Sequence, residues 1–353
     1  MTRSLEALPK AHLHLHFTGS MRTSTLVELA ETHGVRLPAA LTGPHPLSLS
    51  PDARGWFRFQ RLYDAARACV RTAGDMRRIV LEAAADDAAE GSRWLELQVD
   101  PTSYAVHVGG LTPALEIVLD AAREATALTG TAVAVVVAAS RVRHPLDART
   151  LARLAARHAG QGPGTVVGFG LSNDERRGTT SEFAGAFAIA RRAGLASVPH
   201  SGELLGPAHV RETLAALQPD RLGHGVRSAE DPDLLRRVVD AGVALEVCPA
   251  SNVSLGVYGD LAHVPLRRLL EAGATVALGA DDPLLFGPRL AAQYRSARED
   301  HGLDDAALAG LAKASISASR APAATKRALQ AQVDDWLAAA PDGVEGLART
   351  TPA

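Results

Sequence analysis

Eight short apolar runs alternate with helical stretches along this chain, and this alternation constrains the fold more than any other feature. Each run is bounded by turn residues, and between most runs the apolar side chains recur at the spacing of one helix face. Strand alternating with helix eight times predicts an α/β fold, a single parallel (β/α)8 TIM barrel; an open, doubly wound sheet is the alternative. The predicted strands are Leu13–Phe17, Trp94–Val99, Val133–Ala139, Val166–Leu171, Leu195–Pro199, Arg221–Gly225, Ala244–Pro249 and Thr275–Ala280.

Two segments lie outside this regular repeat. Residues 18–92 form a long insertion after the first strand, and it contains an aromatic-rich segment at 56–63. Long excursions after barrel strands often cover active sites, so we predict a lid-like insertion; a separate hydrophobic cluster explains the aromatic residues equally well. Residues 303–337 are predicted to be extra C-terminal helices of the outer ring. One barrel domain would then span residues 1–341, with a flexible tail at 342–353.

Composition excludes several classes of protein. The formal net charge of −2 predicts no attraction to nucleic acid or to a membrane surface. Only two cysteines, Cys69 and Cys248, occur in 353 residues, which argues against a disulfide framework and against a cysteine-based zinc site. No stretch is typical of a signal peptide or of a membrane span. We therefore expect a cytoplasmic protein with a small-molecule substrate, and the sequence leaves its oligomeric state open.

Polar residues gather where the predicted strands end. In a barrel, function collects at the carboxyl ends of the strands, and a spacing of two places His14 and His16 on one face of the first strand. Each such residue alone has an ordinary structural explanation, but all fall at the same rim. Three imidazoles and a carboxylate there would suit a catalytic zinc with an open position for water. The other rim residues are His200, Glu203, His224, Asp281 and Asp282.

Familiar motifs for other metal and nucleotide chemistry are absent from the sequence. The H-x-E with P-C-x-x-C pattern of the zinc deaminases that act on bases of nucleic acids does not occur. Neither H-E-x-x-H nor a P-loop is present. No lysine stands at a predicted strand end to bridge two metals, so the sequence predicts one metal ion per subunit.

Five segments, in the right order along the chain, resemble the motifs of the adenosine deaminase family of the amidohydrolase superfamily. The family implies a (β/α)8 barrel that removes an amino group from a purine by hydrolysis. The matching segments are Pro9–His16 (PKAHLHLH), His200–Glu203 (HSGE), Arg221–Gly225 (RLGHG), Glu246–Asn252 (EVCPASN) and Gly279–Pro283 (GADDP).

This resemblance implies a role for each matched residue. Glu203 would donate a proton to purine N1, and His224 would orient and help to deprotonate the attacking water, with Asp281 as a second proton acceptor. Asp282 would hydrogen-bond N7. One divalent ion, with zinc as the first candidate, would be held by His14, His16, His200 and Asp281. The implied substrate contacts are His16, Thr18, Asn173, Gly202 and Asp282.

The sequence departs from the family pattern where the substrate would lie. Thr18 stands where nucleoside deaminases carry an acidic residue that binds the ribose 5′-hydroxyl, and Asn173 stands where a glycine is usual. Adenosine and deoxyadenosine remain the first predicted substrates. A 5′-modified adenine nucleoside such as aminodeoxyfutalosine is the alternative, and free adenine is a third. An anionic 5′ extension would need cations, for which the nearby candidates are Arg22, Arg58 and Arg61.

Two other classes of function compete with a deaminase. An amidohydrolase acting on a lactone, amide or phosphoester would share the metal ligands, but it would not need Glu203 together with Asp282. A binding protein without catalytic activity would be expected to lose a ligand or the proton donor, and neither is missing from the sequence. The first observation favours a purine ring as the substrate, and the second favours catalysis.

Overall fold

The computed structural model describes residues 3–43 and 47–340 of the chain. The predicted tail at 342–353 lies outside the described residues. Eight parallel strands pair in sequence order into one sheet, which confirms the predicted α/β barrel. The strands are β1 (Lys10–His16), β2 (Ser92–Val99), β3 (Ala132–Ser140), β4 (Val166–Ser172), β5 (Ala196–Ser201), β6 (Arg221–His224), β7 (Ala244–Val247) and β8 (Val276–Leu278).

The barrel closes between its first strand and the segment that follows its last. Leu15 and Asp281 form an isolated parallel bridge, and the backbone amide of Asp281 donates to the carbonyl of His14 at 3.0 Å. β8 is three residues shorter than predicted, because it starts one residue later and ends two residues earlier. β6 ends at His224, one residue before the predicted end, and His224 adopts a left-handed backbone conformation with a φ of +63°.

Helices surround the barrel and follow most of its strands. The helices after β2 and after β4 to β7 lie where apolar residues recur at helical spacing in the sequence. The helices are α1 (Thr23–Thr32), α2 (Ala53–Arg67), α3 (Ala73–Ala89), α4 (Ala105–Val108), α5 (Leu111–Thr129), α6 (Pro145–Arg157), α7 (Ala184–Arg192), α8 (Pro207–Leu217), α9 (Pro232–Asp240), α10 (Pro249–Ser254), α11 (Leu266–Glu271), α12 (Pro283–Phe286), α13 (Leu290–Glu299), α14 (Asp305–Ala318) and α15 (Ala323–Ala338). No described helix is long and apolar enough to cross a membrane.

Three helices lie in the insertion between β1 and β2. α3 starts with a capping box, in which Thr72 and Asp75 each bond the other's backbone amide, and it packs against β2 and α5 in the outer ring. α2 instead packs at the carboxyl ends of the strands, where Phe59 stacks on Phe286 with ring centroids 5.4 Å apart. At the other end of the chain, α14 packs on β1 and β8 and completes the ring.

A buried lysine closes the amino-terminal end of the barrel. Nζ of Lys10 donates to the carbonyls of Leu5 and Leu8 at 2.8 Å and to that of Glu90 at 2.5 Å. Burial lowers the pKa of Lys10 to about 8. This cation thus joins the segment before β1 to the end of the segment before β2.

Candidate active site

β1 places two imidazoles inside the barrel mouth, as its alternation predicts. His14 is completely buried, and its Nδ1 lies 2.8 Å from Oε2 of Glu246 on β7. Nε2 of His14 makes no hydrogen bond although it is buried. The side chain of His16 is partly exposed, and its Nε2 lies 3.2 Å from Nε2 of His200 at the end of β5.

Asp281 completes this cluster from the other side of the barrel seam. Its Oδ1 lies 3.2 Å from Nε2 of His16 and 3.5 Å from Nε2 of His14. Oγ of Ser251 donates to its other oxygen, Oδ2, at 2.5 Å. The carboxylate is therefore oriented from both sides, with one oxygen directed at the imidazoles.

The cluster fits a divalent cation. The buried Nε2 of His14 lacks a partner, and the Nε2 atoms of His16 and His200 face each other at 3.2 Å. Ligand atoms of all three histidines lie within 4.8 Å of one another. Three nitrogen donors and a carboxylate are a set that zinc and similar ions prefer. The second ring nitrogen of His14 bonds Glu246, an arrangement common among histidines that hold metals.

Glu203 and His224 form a second pair next to the cluster. Nε2 of His224 lies 3.5 Å from Oε1 of Glu203 and 3.9 Å from Oδ2 of Asp281. Burial, followed by the negative charge of Asp281, raises the pKa of Glu203 well above its ordinary value. Burial lowers the pKa of His224 to about 3. Burial thus favours the protonated form of Glu203 and the neutral form of His224.

Asp282, the residue just before α12, lines the same cavity. Its Oδ1 is buried and has no hydrogen-bond partner, and burial raises its pKa well above the ordinary value. Gly19 packs directly against it: a Cβ at position 19 would lie 1.8 Å from Oδ1 of Asp282. A glycine is therefore required there for Asp282 to hold its position.

Strained backbone concentrates at this site. Of the four described residues other than glycine with a positive φ, three line the cavity: Asn173, His224 and Asp281. Such conformations cost of order 1–3 kcal/mol each and persist where the surroundings enforce them. Asn173 has a φ of +81°, a region that suits glycine or asparagine, so its backbone explains why asparagine can stand where the family usually has glycine.

Most of the predicted site residues line one cavity, but three do not. His16, Asn173, His200, Glu203, His224, Asp281 and Asp282 line it. His14 is buried behind it, and Gly202 lies beneath, where a Cβ would come 2.8 Å from Cγ2 of Val210. Thr18 is also buried and outside the lining; its Oγ1 lies 2.5 Å from the hydroxyl of Tyr104.

The sequence missed much of the remaining lining. One face of α2 covers the cavity, whereas the sequence left the aromatic segment open between a lid and a separate cluster. Gln98 of β2 also lines it, with Nε2 3.4 Å from Nδ1 of His14, and periodicity alone gave no signal for this residue. The α2 residues in the lining are Trp56, Phe59, Gln60, Tyr63 and Arg67.

Known families account for this arrangement of residues. The adenosine deaminase family profile matches residues 9–336, nearly the whole described barrel. The chain belongs to the adenosine deaminase family. Adenosine deaminase family members are metal-dependent amidohydrolases, so the chain is an enzyme, a deaminase that hydrolyses C–N bonds of cyclic amidines.

Individual adenosine deaminase family members cover nearly the full chain. A Streptomyces coelicolor protein, provisionally named an adenosine/adenine deaminase, is 63% identical over 342 residues, covering 96% of this chain and 99% of that protein. The adenine deaminase of Rhizobium leguminosarum is 34% identical over 330 residues, covering 92% and 99%. The structure is also similar to an adenine deaminase from Arthrobacter aurescens, with a TM-score of 0.84, 29% identity, and 94% and 99% of the two chains covered.

Proposed function

We propose that this protein removes the 6-amino group of an adenine ring by hydrolysis, giving the 6-oxo purine and ammonia. One observation carries the proposal: the carboxyl groups of Glu203 and Asp282 share a cavity with the histidine–Asp281 cluster. A purine whose C6 faces this cluster has N1 on one side of C6 and N7 on the other. Two protonated carboxyl groups can therefore donate to these two ring nitrogens.

His14, His16, His200 and Asp281 are the proposed metal ligands, with zinc as the first candidate. When bound, a divalent ion supplies Lewis acidity that makes water acidic enough to attack near neutral pH. The fourth imidazole, His224, has another role, because its Nε2 points to Glu203 and to Asp281.

Two proton transfers then follow from the positions of Glu203 and His224. Glu203 donates its proton to N1, which makes C6 electrophilic enough for water to attack. Neutral His224, together with Asp281, accepts a proton from that water. The C6 centre then carries both hydroxyl and amino groups. His224 passes the proton taken from water to the amine, which leaves as ammonia, and the C6 hydroxyl returns a proton to Glu203 as the 6-oxo group forms. Asp282 holds the ring by donating to N7 throughout.

Thr18 bears on which adenine compound is bound. The sequence predicts adenosine first, with Thr18 as a neutral acceptor for the ribose 5′-hydroxyl. Its hydroxyl, however, is buried against that of Tyr104 and lies beside Tyr63. This favours a substrate that does not need a hydrogen bond to Thr18, either free adenine or a nucleoside modified at the 5′ position, such as aminodeoxyfutalosine. The names of the relatives from Rhizobium and Arthrobacter support free adenine as a candidate.

The direct test mixes the zinc-loaded protein separately with adenine, adenosine, deoxyadenosine and a 5′-modified adenine nucleoside. The change in ultraviolet absorbance and the release of ammonia are measured in parallel. Conversion of at least one of them, lost on chelation and restored by zinc, is the expected result. Absence of conversion with all four in metal-replete, folded protein contradicts a purine deaminase.

A further inference from the structure

The catalytic cavity opens into a second, wider space. Both are lined by Trp56, Gln60, Arg67, Asp100 and Asn173, so the two are continuous. We call this second space the outer vestibule. Its cationic lining consists of Arg54, Arg67, Arg143, Arg176 and Arg177.

Positive charge exceeds negative charge in the outer vestibule. Its lining includes three carboxylates, of which Asp64 pairs with Arg67, and Asp174 pairs with Nε of Arg176 at 2.8 Å. The third, Asp100, accepts hydrogen bonds from the backbone amide and the hydroxyl of Thr102, and it attracts Arg143 and Arg67 electrostatically without forming an ion pair within the described chain.

Three of the five arginines, Arg54, Arg143 and Arg177, form no ion pair with any described residue, and all three are exposed. Arg143 and Arg177 follow β3 and β4, whereas Arg54 lies at the start of α2. Nη2 of Arg176 is buried and has no hydrogen-bond partner. The chain as a whole carries a net charge of −2, and many of its other arginines are paired with carboxylates. The excess of cations is thus a local feature of the cavity mouth.

The orientation of the purine, which rests on the proposed function, links this charge to the substrate. With C6 at the histidine cluster and N1 and N7 at Glu203 and Asp282, the opposite ring edge carries N3 and N9. That edge faces away from the cluster, toward the mouth of the cavity. Asn173 lines both spaces. A substituent on N9 therefore projects into the outer vestibule, whereas free adenine stops short of it.

We infer that the outer vestibule binds an anionic group, a phosphate or a carboxylate, carried on the N9 substituent of an adenine-containing substrate, with Arg143 and Arg177 as its principal cations. Guanidinium groups bind both anions with paired hydrogen bonds, and a charged mouth raises the local concentration of an anionic ligand. The arginines suggested by the sequence do not fill this role. Arg22 pairs with Asp86, and Arg58 and Arg61 line a separate surface depression.

The experiment compares kcat/KM for adenosine, adenosine 5′-monophosphate and the 5′-carboxylate of adenosine in wild-type protein and in the double variant Arg143→Ala/Arg177→Ala. Wild type should prefer at least one anionic compound to adenosine. The ratio of kcat/KM for the anionic compound to that for adenosine should be roughly tenfold smaller in the double variant, as expected for two partly solvated charge contacts. Whichever anion shows the larger loss identifies the group. The matched control is Arg61→Ala, an exposed arginine of α2 outside both spaces, which should keep the wild-type preference.

Failure of this inference is distinguishable from failure of the proposed function. The anion site is overturned if adenosine is turned over as well as both anionic compounds, or if the preference is unchanged in the double variant. Either result leaves the deaminase assignment intact. If no adenine compound is turned over, calorimetric binding of adenosine 5′-monophosphate decides instead. Binding tighter than that of adenosine and weakened in the double variant supports the site, and equal binding overturns it.

Discussion

The carboxylate of Glu175 accepts a hydrogen bond from the backbone amide of Glu203 at 3.1 Å. It also accepts from the next two amides, those of Leu204 at 3.0 Å and Leu205 at 2.7 Å. A buried side chain from the loop after β4 thus fixes the loop after β5 that carries the proposed proton donor. Because both residues are buried and the contact is threefold, the position of Glu203 depends on Glu175.

Replacing Glu175 with glutamine should therefore lower kcat more than it raises KM. The glutamine amide keeps the shape of the side chain but has one acceptor oxygen instead of two, so the loop loses part of its anchoring. Small displacements of a catalytic group lower the rate by on the order of tenfold to a hundredfold. Zinc content and thermal unfolding are measured alongside. The exposed Glu182→Gln is the control. Loss of zinc in Glu175→Gln, or a rise in KM alone, would contradict a positioning role.

Removing the carboxyl group of Glu203 should separate metal binding from catalysis. Glu203→Ala is expected to retain zinc, because Glu203 is outside the proposed ligand set, and to lose roughly 10²–10⁴-fold in kcat, the usual contribution of a general acid. Elemental analysis and turnover of the preferred substrate measure the two properties. A kcat near that of wild type would show that another group protonates N1.

The pH profile should have an alkaline limb and no acid limb from histidine. Glu203 acts when protonated, and its pKa is raised, so kcat/KM should fall as the pH rises through that pKa. His224 acts when neutral, and its pKa is lowered to about 3, so it remains competent above that pH. The measurement is kcat/KM from about pH 5 to about pH 10, with circular dichroism as the folding control. Activity that rises through pH 6.5 would contradict a neutral, buried His224.

Glu246 should set metal affinity through His14. Its Oε2 holds Nδ1 of His14 at 2.8 Å, while its Oε1 accepts from Nε of Arg221 at 2.6 Å. Glu246→Gln should weaken zinc binding roughly 10–100-fold, as is usual when the partner of a ligating histidine is changed. Competition with a chelator measures this, and the exposed Glu271→Gln is the control. Unchanged affinity in the folded variant would mean that His14 is oriented without Glu246.

Gly19→Ala should damage purine binding while sparing the metal. The new Cβ would overlap Oδ1 of Asp282, so the Asp282 side chain has to move away from N7. We expect kcat/KM to fall by roughly tenfold to a hundredfold, equivalent to one or two lost hydrogen bonds, with zinc content unchanged. Gly310→Ala, which meets no atom within 4 Å, is the control. Full activity of Gly19→Ala would remove Asp282 from substrate binding.

The barrel and the rim residues were predictable because they depend on local pattern. Strand and helix periodicities are properties of short segments, and parallel topology brings strand ends to one edge, so His14, His200 and Asp281 could be grouped before any coordinates. The ends of β5 to β8 differ from the prediction by one or two residues; at β6 the reason is that His224 adopts a left-handed backbone conformation, which propensity does not anticipate.

The surroundings of the substrate were less predictable because they depend on packing between distant segments. Thr18 was interpreted as a neutral acceptor for the ribose 5′-hydroxyl, yet its own hydroxyl is hydrogen-bonded to that of Tyr104, 86 residues away. Arg143 and Arg177 follow different strands and meet at the mouth only in the folded barrel. No periodicity or motif marks such long-range contacts, so the sequence pointed to nearer arginines instead.

The bridge between Leu15 and Asp281 has a consequence for synthesis of the chain. The proposed ligands come from the first strand, from the fifth strand and from Asp281, three residues after the end of the eighth strand. Asp281 stands at the seam where the barrel closes. A nascent chain therefore lacks the complete set until residue 281 has left the ribosome. We therefore expect the metal to bind late, when the barrel is nearly complete. A fragment truncated before residue 281 would have three imidazoles but no carboxylate to complete the site.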